Sequence, residues 1–302
     1  MNVYLPIAEM SVNIYLLLGL GVMTGVLSGL FGVGGGFLLT PLLIFLGVPP
    51  SVSVSSVANQ IIASSASGLI SHMRRGNVDF KIGGYLLLGG LIGSTLGVGV
   101  FRWLKQLGHI DLIISVSYVL FLGIIGAMMA EESVRAILKQ PKQYAANTRK
   151  PLAQRLPFKV EFPHSKLNIS LLMPLAIGFF VGIMVSLMGI GGGFFLIPAM
   201  IYLLGMPTNV VIGTSLFQII FITANVTFLQ AVTTQTVDLL LALILLTGSV
   251  FGAQIGTRLG TKLPAEYLRG LLAVIVLGVA IKLAFGLFTV PSEIYSVSEI
   301  DN

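Results

Sequence analysis

Long apolar runs separated by short polar breaks dominate the chain. A helix needs about 20 apolar residues to cross a bilayer. Eight runs qualify: 12–31, 52–71, 81–101, 110–130, 168–188, 209–231, 237–257 and 266–289. Two further apolar pieces, 37–47 and 194–204, are shorter. At about 1.5 Å of rise per residue, each reaches roughly half-way across. The segment 131–167 breaks the pattern with Glu131, Glu132, four prolines and most of the cationic charge. It reads as a solvated connector with a short surface helix near 133–140. From Pro291 the chain is polar and acidic, which predicts a frayed tail. The pattern predicts an all-α, polytopic integral membrane protein. It has a first membrane repeat at 1–130, a connector at 131–167, a second membrane repeat at 168–290 and a polar C-terminal tail at 291–302.

The two halves are related to each other. Gly32-Val33-Gly34-Gly35-Gly36-Phe37-Leu38-Leu39-Thr40-Pro41 recurs as Gly189-Ile190-Gly191-Gly192-Gly193-Phe194-Phe195-Leu196-Ile197-Pro198. Gly47-Val48-Pro49 recurs as Gly205-Met206-Pro207, Gln60 as Gln218, and Val78-Asp79 as Val237-Asp238. Gly89, Gly93 and Gly97 match Gly248, Gly252 and Gly256. The spacing drifts so little between these matches that an internal duplication follows.

Charge predicts how the halves are arranged. Of the 17 Lys and Arg, eight lie between Arg135 and Lys166, so the connector is expected to be cytoplasmic. With four spans per half and parallel repeats, the loop with Arg258 and Lys262 would lie outside, against the positive-inside rule. Counting each short apolar piece as a fifth membrane segment puts that loop inside, together with Arg74, Arg75 and Lys81. The uncharged 229–236 loop and the acidic C-terminus then fall outside, and only Arg102 and Lys105 are misplaced. An odd number of segments makes the repeats inverted, an architecture common among secondary transporters; short pieces that re-enter the membrane instead of spanning it are the alternative.

Composition narrows the chemistry. The chain of 302 residues is 55% hydrophobic and 9% charged, far below the usual charged share of a soluble domain. The formal net charge of +6 sits in loops, so nucleic-acid binding is not expected. The chain has no cysteine, which removes disulfides and thiolate metal sites. His72, His109 and His164 fall in polar connecting segments without metal-ligand spacing. No basic region precedes the first apolar run, so no cleavable signal peptide is read.

The sharpest motif is GxGGG between a long and a short apolar segment, present twice. Glycine admits positive φ, and irregular backbone at membrane depth needs protein burial or a wet cavity around it. The helices beginning near Phe37 and Phe194 would offer free N–H groups and dipole ends to an anion. The expected substrate-binding residues are Gly34, Gly35, Gly36, Gly191, Gly192 and Gly193, with Asn59, Gln60, Thr214, Ser215 and Gln218 from the following spans. Helix–helix packing alone also accounts for such small and amide residues, and is the better reading for the glycine ladders. A dinucleotide loop is excluded, because no acidic residue lies between Met10 and Phe80 except Asp79. Asp79 and Asp238 precede their helices and read as N-caps. No carboxylate sits in the middle of a span, so neither a proton relay nor an acidic sodium site is supported. Lys282 is the one charge well inside a span and reads as snorkelling outward.

These motifs resemble the sulfite exporter TauE/SafE family, also called the toluene sulfonate uptake permease family. The likeness runs through Gly25, Ser28-Gly29-Leu30, Gly32 to Gly36, Pro41, Gly47, Arg75-Gly76-Asn77-Val78-Asp79 and the glycine ladder. It returns at Gly182, Gly189 to Gly193, Pro198, Gly205, Gly213-Thr214-Ser215 and Gly252 to Gly256. The second half departs from the first by one extra residue between Pro198 and Gly205. The resemblance implies movement of sulfite, sulfonates or related organic anions across the cell membrane. No cofactor and no enzymatic activity are expected; the partners are a small anion and the lipid bilayer. A secondary transporter is the first reading and a passive anion channel the alternative. Oligomeric state and transport direction are not written in the sequence.

Overall fold

The computed structural model describes residues 2–31, 34–137, 157, 159–163, 165, 167–260 and 265–288. Most of the connector, the tail, and Gly32 and Val33 lie outside them. Helices α1 (Ile14–Phe31), α2 (Gly36–Phe45), α3 (Pro50–Arg74), α4 (Phe80–Gln106) and α5 (Ile110–Ile137) form the first half. Helices α6 (Leu172–Met188), α7 (Gly193–Ala199), α8 (Thr208–Thr233), α9 (Leu239–Gly260) and α10 (Ala265–Phe288) form the second. A π-helical turn, Met200–Leu204, extends α7. This turn absorbs the extra residue between Pro198 and Gly205, since a π turn is an α turn with one residue inserted.

Five of the described helices are long and apolar enough to cross a membrane. On α5, Leu112, Val116, Leu120, Ile124 and Met128 recur at every fourth position, all exposed, and Leu88, Ile92 and Leu96 do so on α4. Such stripes lie on one face of a helix. Their solvent is lipid, because large contiguous apolar faces are not left to water. Lys282 lies with its ammonium 4.4 Å from the centre of the Phe45 ring, a cation–π contact at the end of α2.

Two small antiparallel hairpins stand before the first helix of each half. They are β1 (Asn2–Leu5) with β2 (Met10–Asn13), and β3 (Lys159–Phe162) with β4 (Leu167–Ser170). The apolar runs predicted at 12–31 and 168–188 therefore begin as strand and become helix at Ile14 and Leu172. The surface helix expected near 133–140 is, as far as Ile137, the end of α5, and the rest of it lies outside the described residues. The connector also contains β3 and the start of β4.

The two aspartates cap their helices and hold the hairpins. Asp79 Oδ1 accepts from the backbone N–H of Lys81 and Ile82, at 3.0 Å each. Its Oδ2 accepts from the Ser165 hydroxyl at 2.6 Å. Asp238 Oδ1 accepts from Leu241 N at 3.0 Å, and its Oδ2 from Ile7 N at 3.0 Å. Each aspartate's own N–H is taken by the other half: Asp79 N donates to Thr214 Oγ1, and Asp238 N to Ser56 Oγ, both at 2.9 Å. Asp238 is fully buried. Asp238→Ala leaves the buried Leu241 N–H without an acceptor, at about 1–3 kcal/mol, and also frees the part-buried Ile7 N–H that ties down the hairpin. A clearly lower melting temperature of the purified protein is the expected result, and an unchanged one refutes the clamp.

The halves pack by exchange. α1 lies along α9 and α4 along α6, each pair running in the same direction: Gly21 meets Leu245 and Gly248, Gly252 meets Val22, and Gly256 meets Val26. Gly89 meets Leu175, Gly93 meets Phe179 and Gly97 meets Ile183. A Cβ on Gly93 would stand 2.0 Å from the Phe179 carbonyl oxygen, and one on Gly252 2.2 Å from that of Val22. The ladders thus let helix backbones touch, as small residues do in membranes. Between these pairs α3 lies against α8 in the opposite direction. Ser55, near the start of α3, bonds Thr236 just past the end of α8, while Gly68, near the end of α3, meets Leu216 near the start of α8.

Candidate functional site

Both glycine segments turn sharply and meet. Gly34 and Gly35 have φ of 90° and 71°, and Gly191 and Gly192 have φ of 78° and 76°. L side chains avoid this region, which is why the turns into α2 and α7 need glycine. Gly35 and Gly192 are the N-caps of these helices and supply no side-chain cap bond. The first N–H groups of a helix have no intrahelical acceptor. The two helix starts face each other. The rings of Phe37 and Phe194, equivalent in the repeat, stack with centroids 4.8 Å apart and planes 10° apart. A Cβ on Gly36 would stand 2.8 Å from the Gly189 carbonyl oxygen. Equivalent residues of the two halves therefore touch one another where the turns meet.

Ile61 of α3 fills the space between them. Its side-chain carbons are the nearest atoms to a Cβ built on Gly36, at 2.4 Å, on Gly191, at 2.8 Å, and on Gly34, at 3.2 Å. Ser65, one turn on, has its hydroxyl 3.8 Å from the Gly34 Cβ position and is fully buried, with no hydrogen-bond partner. Tyr118 of α5 donates its hydroxyl to the Met188 carbonyl just before the second turn. Nothing in the sequence singled out Ile61, because an isoleucine in a membrane helix looks like every other. The Ser65 position was legible only as one of several serines in the span.

The predicted polar residues have separate fates. Gln60 is fully buried, and neither its amide nitrogen nor its oxygen has a partner. Gln218 is also fully buried, but its Nε2 donates to the Leu86 carbonyl at 3.2 Å, leaving Oε1 without a partner. Thr214 is committed to Asp79 N, and Ser215 donates to its own helix at Ile212 O, at 2.8 Å. Asn59 lies roughly 160° round α3 from Ile61 at about 100° per residue, so it faces away from the turns. The structure brings together the six glycines, Ile61 and Ser65, with Gln60 flanking them on α3. Asn225 of α8, which was not among the expected site residues, bonds Ser94 and Thr95 across to α4, at 2.9 and 3.2 Å, a helix–helix tie. His72, read from sequence as part of a connector, is in the last turn of α3.

A larger cleft of about 500 Å³ lies between α5, α6 and α7, lined by Phe121, Ile177, Phe180, Val181 and Met184 among others. Its wall is apolar and offers an anion nothing.

A family profile described as sulfite exporter TauE/SafE matches residues 17–283, which takes in both glycine turns and every helix but the margins of α1 and α10. The chain belongs to the sulfite exporter TauE/SafE family. It is 33% identical to the probable membrane transporter protein YjnA of Bacillus subtilis over 282 residues, 91% of this chain and all of that protein. It is 28% identical to a probable membrane transporter protein of Xylella fastidiosa, over 87% of this chain and 92% of the other. Sulfite exporter TauE/SafE family protein 3 of Arabidopsis thaliana is 34% identical over 97 residues, which cover 31% of this chain and 20% of that protein. No solved structure matches the chain. As a member of this family the protein is a multi-pass membrane transporter.

Proposed function

We propose that the protein carries a small sulfur-containing anion, sulfite or an organosulfonate, through the cell membrane by alternating access around the paired glycine turns. The observation that carries this reading is the meeting of the two turns where equivalent residues of the halves touch, walled by neutral groups. Two helix starts and an unpartnered serine hydroxyl meet there without a carboxylate, with the unpartnered Gln60 amide flanking them on α3, which suits an anion better than a cation. The opposite run of the equivalent helices α3 and α8 supports inverted repeats, with each turn breaking a helix at membrane depth. The basic connector then faces the cytoplasm. The names of the relatives support the sulfur-anion class. Ile61 closing the space between the turns favours a carrier over a passive channel, which would need a continuous bore.

Purified protein melted in the presence of sulfite, sulfate, thiosulfate, taurine and a simple carboxylate tests the substrate class. A ligand that binds only the folded state raises the melting temperature, by about 2.7 kcal/mol of stability at a hundredfold excess over its Kd. Selective stabilisation by one sulfur oxyanion or sulfonate is expected. Stabilisation by the carboxylate alone refutes the sulfur assignment.

A further inference from the structure

The face of α3 that meets the glycine turns continues toward the predicted cytoplasmic end of the helix. Ile61, Ser65, Gly68 and His72 follow one another at spacings that stay on one side of a helix. Below the turns, Ser64, Gly68 and His72 line a narrow cavity with Ser28 and Gly29 of α1, Leu216 of α8 and Ala253 of α9. Its volume is about 20 Å³, roughly the room one water needs. The His72 Nδ1 is buried and has no hydrogen-bond partner. Arg74 and Arg75 follow immediately and are exposed.

The other half does not repeat this. The spacing that pairs Gln60 with Gln218 puts Ile222 opposite Ser64, Val226 opposite Gly68 and Gln230 opposite His72. Gln230 is fully buried and donates its Nε2 to the Ser186 carbonyl at 3.0 Å, which ties α8 to α6. Ile222 sits on Gly90, where an added Cβ would stand 2.1 Å from its Cδ1. Duplicated positions have therefore diverged in chemistry. On one side of the turns two of the three positions are apolar, and the third, Gln230, is tied to α6 by its Nε2 while its Oε1 is left without a partner. On the other the path is lined by two serines and an unpaired imidazole, with two guanidinium groups just beyond.

We propose that this cavity is the cytoplasmic access path and an outer subsite for the transported anion, with His72 offering the first buried hydrogen bond between the arginines and the glycine turns. The assignment rests on the anion-carrier reading. An imidazole donates an N–H even when neutral, so it can pass an oxyanion inward without holding it as a fixed cation would. Ser64 and Ser65 then take over within one turn of the helix, and Ile61 is the last side chain before the turns.

The absence of native cysteine makes the test clean. Ser64→Cys and, separately, its counterpart Ile222→Cys are placed in the full chain, reconstituted in vesicles with the cytoplasmic face accessible. Each is treated with methanethiosulfonate reagents bearing either a sulfonate or a trimethylammonium head. Ser64→Cys is expected to react from that face while Ile222→Cys does not. The sulfonate reagent should react faster by roughly tenfold, the lower range for charge-focused clefts. His72→Leu added to Ser64→Cys should remove most of that preference. His72→Gln, which installs the residue its counterpart carries, should keep part of it, and gives a folded comparison where the leucine variant misfolds. Equal rates with both reagents, a preference untouched by His72→Leu, or Ser64→Cys no more reactive than Ile222→Cys would overturn the proposal. Labelling reads access of the reagent to the cysteine and not transport. A protein that passes it yet melts unchanged with every sulfur anion keeps its access path and loses only the substrate assignment.

Discussion

Gly93→Leu is expected to yield no folded protein. Even the first carbon of the new side chain would stand 2.0 Å from the Phe179 carbonyl oxygen and 2.8 Å from its carbon. Those are backbone atoms of a packed helix, with no rotamer to relieve them. Moving α6 away would also separate Gly178 and Gly182 from Leu86 and Gly90, contacts nearly as close. The loss should exceed about 4 kcal/mol, a range reached through overpacking or similar core damage. Gly99→Leu on the same helix is the comparison, since nothing lies within 4 Å of that position. Gel filtration in detergent reads both. A monodisperse Gly93→Leu protein with wild-type melting would refute the backbone contact between α4 and α6.

Gln60→Leu should separate stability from function in opposite directions. The amide is fully buried, with neither end paired, and such a group costs about 1–3 kcal/mol to bury. Leucine removes that cost at similar volume, so the variant should melt higher than wild type while losing stabilisation by the anion and losing transport. Gln218→Leu should show less gain, because it also gives up the bond from Nε2 to Leu86. Anion stabilisation undiminished in Gln60→Leu would remove this residue from the site, whatever the melting temperature. A residue retained in an unpaired, buried state against its own energetic cost is the pattern expected of a ligand-binding group.

Much of the architecture is readable locally. Apolar runs announce membrane helices because the bilayer demands a set length of apolar chain. Asp79 and Asp238 announce helix starts because a cap is satisfied within three residues. The GxGGG turns are legible because only glycine takes the φ values found at Gly34, Gly35, Gly191 and Gly192. The hairpins were missed because four-residue strands are too short to set up a period against a neighbouring apolar run. The structural use of Thr214 was not legible for a different reason. Its hydroxyl is used by Asp79, 135 positions away in the chain, and a long-range partner leaves no local trace.

The amino-acid sequence by itself determined the membrane environment, the duplication, the helix boundaries near caps and prolines, and the two places where the backbone must turn left-handed. These follow from solvent, local hydrogen bonding and φ/ψ sterics, which act over a few residues. Tertiary structure alone decided that the turns meet at Phe37 and Phe194, that Ile61 rather than a polar residue stands between them, and that Gln60 is left unpaired where Gln218 is not. Those outcomes depend on how α3 and α8 pack across the halves, a contact between segments far apart in the chain whose geometry no local pattern encodes.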